Sequence, residues 1–143
     1  MLNNVCIGAA ILMGLAALAN GAFMLVSPEL WYFAVPGVTD TGPFNQHFIR
    51  DIGLIFLLVG TAFLLGAAKP HYCLVLWAAP TLWLAAHALF HFWEVAVGIC
   101  GPSVLARDFP AVTLPAIIGA VLTLWAARDL RAISHVRRAQ PAR

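Results

Sequence analysis

Apolar positions in this chain fall into four runs, at residues 5–26, 48–68, 72–97 and 111–127. A helix needs about 20 residues to cross the ~30 Å hydrocarbon layer of a bilayer, and each run is close to that length. Polar residues and turn formers gather between the runs. The first link carries Ser27-Pro28, Pro36-Gly37 and Thr41-Gly42-Pro43. The second, Lys69-Pro70-His71, is so short that the helices on either side of it must form an antiparallel hairpin. The third contains Gly101-Pro102 and Asp108. The pattern predicts an all-α fold, an integral membrane four-helix bundle occupying residues 1–127, with a polar, basic cytoplasmic tail at 128–143. Gly8, Gly14, Gly21, Gly53, Gly60 and Gly119 lie inside the runs, where small residues let helix backbones approach closely. Pro80 falls within the third run and predicts a kink, because it cannot donate its backbone hydrogen bond. Pro43 and Pro110 suit the first turns of their helices.

Composition points the same way. Hydrophobic residues make up 62% of the 143 residues, charged residues 10%, and the mean hydropathy is +0.90. A soluble domain carries about 25% charged residues, so a soluble fold is disfavoured. Charge placement predicts orientation. Lys69 and the tail residues Arg128, Arg131, Arg137, Arg138 and Arg143 fall on one side of the four runs. Arg50 and Arg107 fall on the other, with Glu29, Asp40, Asp51 and Asp108. The positive-inside rule then places both termini in the cytoplasm and the two longer links outside. The basic tail is read as an orientation signal and a contact with lipid headgroups, not with nucleic acid. The expected partner is the lipid bilayer, with a homo-oligomer or larger membrane complex formed through glycine-bearing faces. A cleaved signal peptide competes for the first run, since Ala17-Leu18-Ala19 resembles a cleavage site. No Lys or Arg precedes that run, which argues against it.

The chemistry resides in six ionisable residues within or beside apolar runs. His87, His91 and Glu94 lie in the third run, and on a helix they share an arc of about 60°. His47, Arg50 and Asp51 open the second, with His47 and Asp51 as i, i+4 neighbours. Titratable groups at membrane depth are expensive and normally pair or perform a task. Both sets lie toward the outer face, and the expectation is that they meet in one pocket. The residues between Trp31 and Pro43 are too aromatic for a loose link. They are expected to cap that pocket, with Trp31, Tyr32 and Phe33 at the interface and Pro36-Gly37 making a turn. Trp93 adds to the outer aromatic belt. Arg107-Asp108 reads as an ordinary exposed pair, and His71 and His135 as solvated.

Several functions fit such a pocket. One is a structural hydrogen-bond network joining helices. Another is a ligand or metal site, in which His87, His91 and Glu94 would hold a transition metal or a quinone headgroup. A third is a proton relay for a small-solute transporter. No nucleophile–base pair, phosphate-binding glycine loop or dinucleotide fingerprint is visible. Cys6, Cys73 and Cys100 are isolated, which argues against a disulfide or a thiol redox centre. The preferred reading is a small membrane binding or accessory protein. A metal- or quinone-dependent oxidoreductase and a proton-coupled transporter are the alternatives.

Three stretches carry a resemblance. Trp31-Tyr32-Phe33-Ala34-Val35-Pro36-Gly37-Val38, then Thr41-Gly42-Pro43-Phe44-Asn45, then His47-Phe48-Ile49-Arg50-Asp51-Ile52-Gly53 resemble a family of small uncharacterised bacterial membrane proteins. His87-Ala88-Leu89-Phe90-His91-Phe92-Trp93-Glu94 looks like its second signature. The layout is similar to the DoxX-like group of four-helix inner-membrane proteins. The resemblance covers about the first 100 residues. It implies a bacterial inner-membrane four-helix fold and carries no activity, substrate or cofactor. Some DoxX-like proteins accompany thiol redox systems, a role for which this chain lacks the cysteine pair.

Overall fold

A computed structural model describes residues 3–139, with side chains through residue 132. The described residues are predominantly helical and contain no strand. Four long helices dominate: α1 (Asn4–Val26), α3 (Gln46–Ala68), α4 (Cys73–Ala96) and α6 (Leu114–Ala139). Two short ones, α2 (Pro28–Ala34) and α5 (Ser103–Asp108), sit in the longer links. Four helical stretches are long and apolar enough to cross a membrane, the last running from Ser103 to Ala132. The ends of the long helices agree with the apolar runs to within about two residues at α1, α3 and α4.

The closest packing joins α1 to α3. Gly14 and Gly21 on α1 are seven residues apart, as are Gly53 and Gly60 on α3. In the antiparallel pair Gly14 faces Gly60 and Gly21 faces Gly53. A Cβ on Gly60 would lie 2.6 Å from the carbonyl oxygen of Gly14, and one on Gly21 would lie 2.7 Å from that of Gly53. No side chain fits there, so the backbones are in direct contact, as small residues permit between apolar helices. A Cβ on Gly8 would meet nothing within 4 Å, so this glycine takes no part.

The other contacts follow the same logic with larger groups. On α4, the indole of Trp77 fills the space above Gly66 of α3 and donates from Nε1 to the carbonyl of Phe63, at 3.1 Å. Gly119 of α6 admits the side chain of Thr81, whose Oγ1 lies 3.3 Å from that of Thr123. That shared hydroxyl proton satisfies two polar groups within an apolar contact. Trp77, Phe63 and Ala126 are fully buried at the centre of the bundle.

Helix ends explain where the polar residues come to rest. Asn45 caps α3, its side chain accepting from the Phe48 N–H, so the helix starts beyond Pro43 rather than on it. Pro110 likewise does not open a helix. It lies in a π-helical turn, Phe109–Thr113, that joins α5 to α6. α4 ends in a Schellman motif. Gly98 adopts a left-handed φ of 77°, its N–H donates to Val95 O, and the Ile99 N–H donates to Glu94 O at 2.9 Å. This pairing of terminal carbonyls is the usual way a glycine stops a helix.

The basic tail departs from its expected form. α6 does not end near residue 127 but continues to Ala139. Residues 128–139 contain no Gly or Pro to stop it, and Ala, Leu and Arg are good helix formers. At 1.5 Å per residue the helix is about 39 Å long, exceeding the ~30 Å apolar layer. The side chains of His135, Arg137 and Arg138, and all of Arg143, lie outside the described residues.

The glycine pairing yields a test. Gly60→Val forces a side chain against the α1 backbone, and overpacking of this kind costs about 1–3 kcal/mol. Gly8→Val meets open space and is expected to cost far less. Thermal unfolding of both variants in detergent checks this, and equal melting temperatures would refute the α1–α3 contact.

Candidate functional site

The end of the bundle where α3 begins and α4 ends carries the ionisable groups. The first link is fastened across it. Tyr32 of α2 is buried, and its hydroxyl donates to Gly42 O at 2.7 Å. Trp31 donates from Nε1 to Asn20 Oδ1 at 2.9 Å. Val38 packs against the small cluster of Met24, Tyr32 and Ile49. Phe33 is exposed. The link is therefore packed against the end of the bundle, with Trp31 and Tyr32 turned toward the protein. Each has a polar atom that needs a partner when its ring is covered.

The two expected polar sets separate. His47 and Asp51 pair with each other along α3, Nε2 to Oδ2 at 3.2 Å, with side chains 88% and 54% exposed. Arg50 does not pair with Asp51. Its Nε donates to Leu25 O at 3.2 Å, satisfying a carbonyl left over at the end of α1. Neither His47, Arg50 nor Asp51 lines the cavity described below. The single pocket uniting His47 and Asp51 with His87, His91 and Glu94 is not formed. The reason is local: at an exposed helix start, an i, i+4 partner and a nearby carbonyl are closer than another helix.

His87 and His91 follow α4 toward its end. His87 stacks on Trp83, with ring centroids 5.3 Å apart and an interplanar angle of 7°. Its other neighbour is His91, edge-on at 4.8 Å. Trp83 in turn meets Phe56 of α3 edge-on. The partner of His91 comes from a residue that sequence reasoning treated as exposed. Asp108, at the end of α5, places Oδ2 3.2 Å from His91 Nδ1, with the two side chains only 13% and 18% exposed. Its Oδ1 accepts from Arg107 Nε at 2.8 Å. Arg107 Nη1 continues to Asp40 Oδ2 of the first link, also at 2.8 Å. One chain of close polar contacts thus runs from α4 through α5 to the first link.

This chain borders a cavity of about 220 Å³ lined by His91, Glu94, Cys100, Arg107, Asp108 and Asp40, among others. Three carboxylates and one guanidinium are among its lining groups. Arg107 and His91 are committed to Asp108 and Asp40. Glu94 is half-buried, and among the described residues its carboxylate makes no hydrogen bond or ion pair. The Schellman motif that ends α4 uses the backbone oxygen of Glu94 and turns Cys100 to the same cavity.

Among the described residues, no group of three or more His, Cys, Asp or Glu is placed to hold a metal ion. The metal site expected from His87, His91 and Glu94 is therefore not assembled: His87 is committed to the Trp83 stack and His91 Nδ1 to Asp108. The three cysteines are unpaired. Searches of protein-family models, curated proteins and solved structures give no match to the chain.

Asp40, Arg107 and Asp108 are the site residues that sequence reasoning missed. The one available signal was that the first link carries Glu29 and Asp40 with no Lys or Arg, whereas the third carries Arg107. The bonds they make differ in strength. Asp40 is 68% exposed, so its pair with Arg107 falls among surface ion pairs worth about 0.2–1 kcal/mol. Asp108 is largely covered and holds two partners, so removing it leaves the mostly covered His91 without its partner and Arg107 with Asp40 alone. Asp108→Ala is expected to destabilise by about 1–3 kcal/mol, and Asp40→Ala by less than about 1 kcal/mol. Denaturation of the two variants side by side tests this order, and a reversal would overturn the assignment of Asp108 as the anchor.

Proposed function

We propose that this chain is a multi-pass protein of a bacterial inner membrane that binds a small polar ligand at the outer end of its bundle. Membrane residence rests on the four long apolar helices. The cytoplasmic placement of both termini rests on the distribution of Lys and Arg, and the bacterial assignment on the resemblance carried by the first 100 residues. No nucleic-acid role is proposed.

The observation that carries the binding reading is Glu94. Every other charged side chain of the cavity wall is satisfied within the protein, and Glu94 is not. A carboxylate held partly out of water without a donor is unfavourable. A ligand bearing hydrogen-bond donors would relieve that cost. The cavity size admits only a small molecule, below the ~300 Å³ common for drug-sized ligands.

A second reading has its own support. His91, Asp108, Arg107 and Asp40 satisfy one another so fully that they form a lock holding α4, α5 and the first link together. Glu94 separates the two readings, since it borders the cavity without joining the lock. Native mass spectrometry of protein purified in mild detergent is expected to show a small adduct that Glu94→Gln loses, with the melting temperature unchanged. No adduct on the wild type, or a Glu94→Gln variant that unfolds earlier with the adduct retained, would favour the lock.

Topology is tested separately. An alkaline phosphatase fusion after Arg143 is expected to be inactive and a green fluorescent protein fusion there to be bright. An active phosphatase would place the carboxyl terminus outside and overturn the orientation.

A further inference from the structure

We propose that α2 is an interfacial anchor: its exposed face lies in the boundary between lipid headgroups and acyl chains, and the membrane surface crosses the first link between Phe33 and Thr39. Resting on the membrane reading above, this placement adds the depth at which the first link sits. α2 divides cleanly into two sides. Pro28 and Tyr32 are buried and Trp31 is half-buried, and at about 100° per residue these three share one side of the helix. Leu30, Phe33 and Ala34 are exposed on the other side, with Glu29 at its rim. Leu30 and Phe33 are 62% and 67% exposed. The face is nonetheless held firmly. Trp31 and Tyr32 bond to Asn20 and to Gly42 O, and the Tyr32 ring meets those of Phe33 and Phe44 edge-on at 5.0 and 5.5 Å. The fold turns inward the two aromatic rings that carry polar atoms and presents wholly apolar side chains outward.

Chain connection identifies lipid as the occupant of that face. α2 is joined to α1 by Ser27 alone, whose N–H donates to Phe23 O and whose carbonyl accepts from the Trp31 N–H. α2 therefore stays at the level where α1 ends. α1 has 23 residues, about 34 Å at 1.5 Å per residue, enough to cross the ~30 Å apolar layer with little to spare. Its last residue, Val26, is exposed, and so is Phe48 in the first turn of α3. Arg50 holds that turn beside Leu25 at the end of α1. The apolar face of α2 thus continues the exposed apolar sides of α1 and α3 at one level, instead of forming an isolated patch in water. Beyond α2 the character changes, for Thr39, Asp40 and Thr41 are exposed and polar. A segment divided in this way rests with its apolar side about 5–10 Å into the boundary between headgroups and acyl chains. Glu29, in the first turn of α2, reaches the headgroups from the rim. Asp40, which lines the cavity, then stands on the aqueous side.

Spin-label depth measurements test the anchor. Leu30→Cys, Phe33→Cys, Thr39→Cys and Leu12→Cys are made singly in full-length protein carrying Cys6→Ala and Cys100→Ala. Cys73 is buried and is kept, so that its removal does not disturb folding and it labels slowly. Each variant carries a nitroxide and is reconstituted into phosphatidylcholine vesicles. The readout is the nitroxide's collision rate with oxygen, which concentrates in the apolar layer, against that with a water-soluble nickel chelate. Leu12 is exposed near the middle of α1 and reports insertion of the bundle itself. Labels at positions 30 and 33 are expected to favour oxygen at a depth of about 5–10 Å, shallower than position 12, and the label at 39 to favour nickel. All four positions are exposed, so labelling leaves the core intact, and circular dichroism reports helicity. A label at 30 or 33 that favours nickel as strongly as 39 would overturn the anchor, as would a label at 39 that favours oxygen. Dipolar broadening at 30 and 33 with little collision with either reagent would place a second copy of the chain on this face and overturn lipid as its occupant. Nickel preference at position 12 would overturn the membrane reading, whereas oxygen at 12 with nickel at 30 and 33 overturns the anchor alone. None of these outcomes bears on the adduct lost in Glu94→Gln.

Discussion

Contact between the backbones of α1 and α3 at two glycine pairs is the constraint on which the rest of this molecule depends. Small residues on both helices let the backbones approach, and that close packing joins α1 to α3. Gly14 against Gly60 and Gly21 against Gly53 define an antiparallel register one heptad long. That register brings the end of α1 beside the start of α3, close enough for Arg50 to reach Leu25 O. It also dictates that the first link begins and ends at the same end of the bundle. A short path between those points would be a bare loop. This chain instead folds α2 back into it and fastens it through Trp31, Tyr32 and Val38. The cap is thus a consequence of the glycine register, and the position of Asp40 is a consequence of the cap.

The same end of the bundle solves an electrostatic problem by grading exposure. A fully covered ion pair loses more hydration than its attraction returns unless the geometry is good, and a fully exposed one contributes little. The chain here runs between those limits. His91 and Asp108 are mostly covered, Arg107 is intermediate, and Asp40 is in water. Asp108 is the centre, since Arg107 lies against one of its oxygens and His91 against the other. Nδ1 of His91 lies 3.2 Å from one oxygen of Asp108, and Arg107 Nε donates to the other. His87, one turn earlier, has no such carboxylate and leans on Trp83 by stacking instead.

The helices were legible because each depends on residues close in sequence. Apolar length, the glycines within the runs and the short Lys69-Pro70-His71 link are all local signals, and α1, α3 and α4 follow them closely. The end of α6 was misplaced because hydropathy reports where apolar character stops, while a helix stops only where a residue breaks it. No Gly or Pro does so between 128 and 139. The candidate site was legible in part. His91 and Glu94 were found because a polar residue in an apolar run stands out. Asp108 and Asp40 were not, because on polar links a charge carries no such contrast, and their pairing through Arg107 joins segments whose separation only the folded bundle defines. The expectation for His47 and Asp51 failed from the opposite cause. Their spacing correctly signalled a pair, but the pair is complete in itself, leaving neither residue a reason to reach another helix.

What distinguishes a lock from a binding site at this end of the bundle is the residue left over. A network built only to hold α4, α5 and the first link together needs His91, Asp108, Arg107 and Asp40, and those four already meet each other's requirements. Glu94 adds nothing to that purpose. Its backbone oxygen ends α4, a task that any residue at that position performs, so the carboxylate is not required by the helix stop either. An apolar side chain there would cost less in a partly covered wall. The carboxylate instead lines a space bounded by groups already committed to one another. A charge that serves neither packing, capping nor the ion network, and that borders a cavity, is the observation on which the proposed ligand binding rests.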